Sequence, residues 1–92
     1  MPKIEKLVLI SLLLLPLSGF ASAAQCAGDT IKSVSSGGEV LVMISGAVYK
    51  VDQLDRLDSE LWLPADDVLI CDDGRMINTD EEGEVVEVQR LN

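Results

Sequence analysis

Short apolar runs separated by glycine-containing turns follow one another along most of this chain, a pattern typical of an all-β domain. Thr30–Ser35 predicts a first strand. Glu39–Ser45 predicts a second that is apolar on both faces, which indicates that both are covered. Gly46 and Ala47 favour a two-residue hairpin, which leads into a third strand over Val48–Val51.

The C-terminal third repeats this pattern. Asp67–Asp72 predicts a strand with a doubly apolar centre, and Asp73-Gly74 favours a hairpin that places Arg75–Thr79 antiparallel to it. A further turn precedes Glu84–Leu91, where valines alternate with polar residues as in a half-buried strand. The total is five or six short antiparallel strands.

One segment has a different periodicity. Leu54, Leu57 and Leu61 recur at spacings of three and four with acidic residues between them, which predicts a short helix or helical turn over Asp52–Leu63. We expect this helical insertion to pack across one end of the sheet and to end at Pro64.

So many strands in so short a segment favour a small antiparallel barrel, which buries one face of the sheet and reduces exposed edges. An SH3-like barrel is our first prediction. An OB-like barrel is the alternative, because that fold also places a helical element between its third and fourth strands.

The N-terminus carries the pattern of a secretory signal peptide. Lys3 and Lys6 precede a leucine-rich core of eleven residues, Leu7–Leu17, and small residues follow at the expected cleavage site. We predict a signal peptide over residues 1–23, cut after Ala23 or Ala24, and a barrel domain over residues 24–92 that is periplasmic or secreted.

Two other interpretations of this region are less favoured. A membrane anchor needs about 20 apolar residues, and Pro16 and Gly19 interrupt this run much earlier. A lipoprotein needs a small residue immediately before the modified cysteine, whereas Gln25 precedes Cys26. We therefore expect no stable membrane anchor after cleavage.

Charge limits the range of partners. Residues 24–92 hold fifteen carboxylates and five basic side chains, a net charge of −10. Binding to nucleic acid depends on lysine and arginine neutralising phosphates, so nucleic acid is not an expected partner.

Two cysteines, Cys26 and Cys71, remain in the predicted domain. In an oxidising compartment, an even pair in so small a domain predicts a disulfide. The other interpretation, a redox-active or metal-binding pair, lacks both a CxxC spacing and a histidine.

The chain contains no histidine at all, which removes the commonest general base and the commonest transition-metal ligand. The acidic pairs Asp66-Asp67 and Asp72-Asp73 are sequence neighbours, and neighbours in an extended chain point to opposite faces. We interpret them as solvated turn residues and predict no catalytic residue, no metal ligand and no cofactor.

Residues 78–83 resemble the first half of an EF-hand loop, with oxygen-bearing side chains before Gly83. The second half does not fit, because Gln89 stands where the bidentate glutamate belongs and the flanking segments predict strands. We therefore predict a hairpin turn there, with a calcium-stabilised binding module as an alternative.

Trp62 is the lone tryptophan of the chain. Our structural interpretation is a lid, with the large ring closing the open end of a small barrel. The functional interpretation is a partly exposed platform for a peptide or sugar. If the domain binds a ligand, we expect the surface around Tyr49, Arg56 and Trp62 to do so.

Residues 30–90 also resemble short exported bacterial proteins of uncharacterised function. The resemblance lies in Gly38-Glu39-Val40, in Gly46-Ala47-Val48-Tyr49-Lys50-Val51, in the link containing Trp62, and in Asp66-Asp67-Val68-Leu69-Ile70. An Asp-Gly turn would be usual where this chain has Ser45-Gly46-Ala47. The resemblance implies a small barrel in the bacterial envelope, and it implies no activity.

Together these features predict an exported, non-enzymatic interaction or accessory module of the bacterial envelope. Its expected partner is another envelope protein or a peptide, contacted either at the predicted surface or at strand edges. The alternative from a different class is a small carboxylate-dependent, glycan-acting enzyme, which would need two acids about 5–9 Å apart across a cleft.

Overall fold

The structure is a computed structural model that describes residues 23–92. The predicted signal peptide lies outside these residues, apart from Ala23. Within the described part of the chain, no helix has the length and apolar character needed to cross a membrane.

Five of the predicted strands are confirmed to within two residues at each end, and the first begins at Cys26, four residues before its predicted start. Six strands account for nearly half of the described chain. They are β1 (Cys26–Val34), β2 (Val40–Met43), β3 (Val48–Val51), β4 (Asp67–Cys71), β5 (Arg75–Asn78) and β6 (Glu84–Arg90). Short helical segments lie in the connections: 3₁₀ turns at Ser36–Gly38 and Gln53–Asp55, and one α-helical turn, α1 (Arg56–Ser59).

The strands form a closed antiparallel barrel in the order β1-β2-β3-β6-β5-β4. The barrel consists of two three-stranded meanders, β1-β2-β3 and β4-β5-β6, which join at a β1–β4 seam and a β3–β6 seam. β1 pairs with two neighbours: its first half pairs with β4 and its second half with β2. The register with β2 is irregular between Ile31 and Ser33.

The core lies inside the barrel and is formed mainly by the residues that alternate toward the interior along each strand. On β2, for example, Leu41 and Met43 are fully buried, and on β5 Met76 has the same position. The remaining residues of this core cluster are Ile31, Ala47, Tyr49, Val51, Trp62, Val68 and Val86.

The predicted fold class is therefore confirmed: the domain is a small, closed, six-stranded antiparallel barrel with one short helix. The helical segment lies between the third and fourth strands, the position that the OB-like alternative gives it. The sixth strand distinguishes this barrel from the five-stranded OB fold.

Two local predictions about β2 and its hairpin are wrong. The outer face of β2 is not fully covered, because Val40 and Val42 are half-buried and Ile44 is 65% exposed beyond the strand end. The hairpin loop has three residues, Ile44-Ser45-Gly46, closed by a hydrogen bond from the Met43 N–H to the Ala47 carbonyl, and the Gly46 N–H donates to the Met43 carbonyl. Gly46 has a φ of 97°, so it supplies the left-handed residue that a three-residue loop requires.

The predicted disulfide between Cys26 and Cys71 is present. The two residues lie directly opposite each other in the β1–β4 pairing. The bond therefore joins the two meanders covalently at one seam of the barrel and closes a loop with a sequence separation of 45.

Replacing both cysteines by serine should lower the free energy of unfolding by about 4 kcal/mol, because the unfolded chain regains the entropy of a long open loop. Denaturant unfolding of the oxidised protein and of the C26S/C71S variant measures the difference. Chemical reduction of the unsubstituted protein should produce the same loss, and an unchanged midpoint in both cases would contradict the prediction.

Candidate functional site

The connection between β3 and β4, residues 52–66, covers one end of the barrel and is the main departure from strand structure. Its last residues are hydrogen-bonded to β1, because the Ala65 N–H donates to the Ile31 carbonyl at 2.8 Å and the Ile31 N–H to the Asp66 carbonyl at 2.9 Å. Near its start, the Asp52 N–H donates to the Glu87 carbonyl on β6 at 2.8 Å. The insertion is thus fixed at both ends to the barrel.

Ser59 attaches the middle of the insertion to the turn that precedes β2. Its side chain is fully buried, and its hydroxyl donates to the Gly38 carbonyl at 2.7 Å. Gly38 has a φ of 73°, and a Cβ at this position would lie 2.4 Å from the Glu60 nitrogen. Only glycine allows the two backbones to approach so closely.

Trp62 closes this end of the barrel. The side chain is 2% exposed and belongs to the main core cluster. Its indole N–H, the polar group that would otherwise be buried without a partner, donates to the Glu84 carboxylate at 2.8 Å. This position is the one that the lid interpretation predicts.

A polar network lies beside the indole and connects the insertion to the β5–β6 turn. The interpretation of Asp66 as a solvated turn residue is wrong, because the residue is buried. Its carboxylate accepts hydrogen bonds from the Asn78 amide at 2.9 Å and from the Leu63 N–H at 3.1 Å. The Asn78 side-chain oxygen in turn accepts the N–H groups of Asp80 and Glu81. Among the described residues, every buried polar side-chain atom has a partner.

Sequence reasoning missed Asn78, although a signal for it exists. Met76 and Asn78 have the same phase on β5, so a polar amide occupies a position that points into the barrel. A polar residue at a core position requires buried partners, and Asp66 and the following turn provide them.

The leucines whose spacing predicts the helical segment do not pack against the barrel. Leu54, Leu57 and Leu61 are 87%, 76% and 72% exposed, and Leu63 is 58% exposed. The spacing does place the first three on one side of the segment, but Ser59 and Trp62 occupy the side that faces the barrel. We call Leu54, Leu57, Leu61 and Leu63 the leucine surface.

Acidic residues alternate with these leucines. Asp52, Asp58 and Glu60, here called the acidic rim, are exposed. In the part of the chain that the structure describes, no lysine or arginine forms a salt bridge with them. Arg56, the basic residue of the insertion, is directed elsewhere, because its Nε donates to the Val51 carbonyl at 3.0 Å and its guanidinium lies 3.9 Å from Glu39.

The three residues of the predicted binding surface do not come together. Trp62 contacts Glu84 at the start of β6, whereas Tyr49 pairs with Arg90 at the end of the same strand. Tyr49 is buried, with the Arg90 guanidinium 5.9 Å from its ring centre. Arg56 is half-buried beside an open groove that Lys50, Asp52 and Glu87 also line. Ligand binding by these residues stays a prediction.

Asn78 and Asp80, in the predicted turn at 78–83, use side-chain oxygens within the protein. The Asp80 carboxylate accepts the Asp67 N–H at 2.8 Å, and the Asn78 oxygen is occupied as described above. Within residues 23–92, no group of three or more acidic or cysteine side chains is arranged to hold a metal ion.

The chain shows no significant match to any protein-family model, to any curated protein or to any solved structure in the three comparisons. Its function therefore has to be inferred from the geometry of the insertion and of the barrel beneath it.

Two glycine substitutions, one at the contact and one beside it, test whether the close approach of Gly38 anchors the insertion. Gly37→Ala should cost about 1–2 kcal/mol, because Gly37 also has a left-handed backbone but open space around it. Gly38→Ala should cost about 1–3 kcal/mol more, because the added methyl meets the backbone of Glu60.

Thermal unfolding measures both effects. Only Gly38→Ala should also shift the Trp62 fluorescence to longer wavelength, since it displaces the segment that holds the indole in the barrel. Equal stability and equal emission in the two variants would show that the close approach does not anchor the insertion.

The turn after β5 generates a prediction about pH. Partial desolvation and the nearby carboxylates of Asp66, Glu84, Asp80 and Glu82 raise the pKa of Glu81 above its ordinary value of 4.5. Because the folded state then binds this proton more tightly than the unfolded state, ionised Glu81 destabilises the fold at neutral pH.

Glu81→Gln should accordingly raise the melting temperature slightly at pH 7, and the gain should disappear as the pH falls through the raised pKa of Glu81. Melting curves from pH 7 down to pH 4 test this, with Glu87→Gln as a control that removes a charge from the exposed face of β6. A gain that persists at the lowest pH would contradict the assignment.

Proposed function

We propose that the protein is an exported, non-enzymatic interaction module of the bacterial cell envelope, and that its leucine surface contacts the partner. The observation that carries the proposal is the exposure of four large apolar side chains on one fixed segment. Single exposed leucines are ordinary, but a group of them on one short segment is characteristic of a binding surface.

The way the insertion is attached supports this assignment. Ser59, Trp62 and Asp66 hold it against the barrel on the opposite side, through bonds to Gly38, Glu84 and Asn78. Because the backbone is already ordered, binding at the leucine surface requires little further ordering, which favours affinity.

The arrangement of the strands also directs the proposal to this surface. In the closed barrel, β1 and β6 each pair with one neighbour along the first half and with another along the second half. Contact by addition of a strand, our other expectation for partner binding, would therefore have only short half-strand segments of backbone available. The side chains of the insertion provide the apolar alternative.

Export rests on the signal-peptide pattern of residues 1–23. The Cys26–Cys71 disulfide is compatible with the oxidising compartment that export would provide. The non-enzymatic character rests on the lack of histidine and on the structural use of the buried carboxylate of Asp66, which two hydrogen bonds occupy.

The proposal is tested by placing a photoreactive amino acid at position 57 of the protein in intact cells and identifying the crosslinked product by mass spectrometry. We expect one defined envelope protein to be captured from position 57. The matched control is position 44, where Ile44 is also exposed but lies at the other end of β2 from the Gly38 contact.

Leu61→Glu in the same protein should abolish the crosslink, because it places a charge within the apolar contact. Capture of the same protein from positions 57 and 44, or capture that Leu61→Glu leaves unchanged, would contradict a role for the leucine surface.

A further inference from the structure

We infer that the leucine surface binds a cationic amphipathic segment of another protein, in which apolar side chains are flanked by lysine or arginine. The inference rests on the proposed function and adds the chemistry of the partner. It follows from what surrounds the leucines as much as from the leucines themselves.

The acidic rim indicates the charge of the partner. Asp52, Asp58 and Glu60 are exposed between and beside the leucines, so an approaching segment meets carboxylates as it buries Leu57 and Leu61. Complementary charge at the edge of an interface steers the encounter and excludes partners of like charge. The basic side chains therefore have to come from the partner.

The local basic residue cannot supply them. The Arg56 side chain is turned toward Val51 and Glu39, where it donates a hydrogen bond and lies within ion-pair distance. It therefore forms no salt bridge with the acidic rim. Asp52 lines the same groove as Arg56 and Lys50, so Asp58 and Glu60 are the carboxylates that the partner meets.

Charge also decides against a second copy of this chain as the occupant. A symmetric dimer would place the same patch against itself, so two acidic rims would meet. Each copy of residues 24–92 carries a net charge of −10, which adds a general repulsion. The same argument disfavours a membrane surface rich in anionic lipids.

The shape of the surface indicates the form of the partner. Leu54 lies in the 3₁₀ turn, Leu57 lies three residues further on in α1, and Leu61 lies in the turn that follows α1. The three exposed side chains therefore follow one short, mostly helical segment. An amphipathic helix can lay its own apolar stripe along these side chains, with its basic residues on either side facing the rim.

The probe for the test is a synthetic helical peptide of leucine and lysine in amphipathic order, and its matched control has glutamate in place of every lysine. Binding to the full protein, in the form that its cell produces, is measured by calorimetry. We expect the leucine–lysine peptide to bind and the leucine–glutamate peptide not to bind.

Leu57→Glu should weaken binding of the leucine–lysine peptide by about tenfold or more, since it removes a central apolar anchor. The substitution adds a negative charge, so a purely electrostatic attraction would instead become stronger. Ile44→Glu adds the same charge outside the leucine surface and should not weaken binding. Circular dichroism and Trp62 emission show that each variant is folded.

Reversing the rim with Asp58→Lys and Glu60→Lys together should exchange the preference, so that the leucine–glutamate peptide binds better than the leucine–lysine peptide. Higher salt should reduce both interactions, because exposed charges are screened. Equal binding of the two peptides to the unsubstituted protein would overturn the inference.

Three other outcomes would also overturn it. These are binding of the leucine–lysine peptide that Leu57→Glu leaves intact, concentration-dependent self-association that Leu57→Glu abolishes, and binding to vesicles of zwitterionic lipid that depends on Leu57. A defined crosslink from position 57 without peptide binding would remove the partner chemistry and leave the proposed function standing. Failure of both experiments would remove both.

Discussion

The burial of Trp62 in the mouth of the barrel is the interaction on which the rest of the insertion depends. A short helical segment can bury only one side, and here the buried side carries Ser59 and Trp62. The hydroxyl–carbonyl contact with Gly38 and the indole bond to Glu84 fix this orientation. Once it is fixed, the residues at the leucine positions have to face away from the barrel.

The orientation of the insertion is decided by polar contacts and not by apolar area. Three leucines could bury at least as much apolar surface as one tryptophan, so area by itself does not favour the observed orientation. The inward side, however, also satisfies the Gly38 carbonyl, the Asn78 amide and the backbone of Leu63. Leaving such groups buried without partners would cost more than leaving the leucines in water.

Much of the barrel could be predicted from the sequence, because alternation along a strand directly reports which residues share a face. Leu41, Met43 and Met76 follow this rule. The insertion could not be predicted in the same way: spacing shows which leucines share a side but not which side meets the core. That choice depends on Gly38, which is distant in sequence from Ser59 and Trp62. It also depends on Asn78, a polar residue at an inward position of its strand.

The separation between the two sides of the insertion has a consequence for how such a domain can change. The outward leucines are absent from the core cluster, so exchanging them alters what the surface can recognise with little effect on folding. Specificity and foldability are thereby encoded by different residues of the same fifteen-residue segment, 52–66. A barrel built in this way is a scaffold on which new recognition surfaces can be selected without first being stabilised.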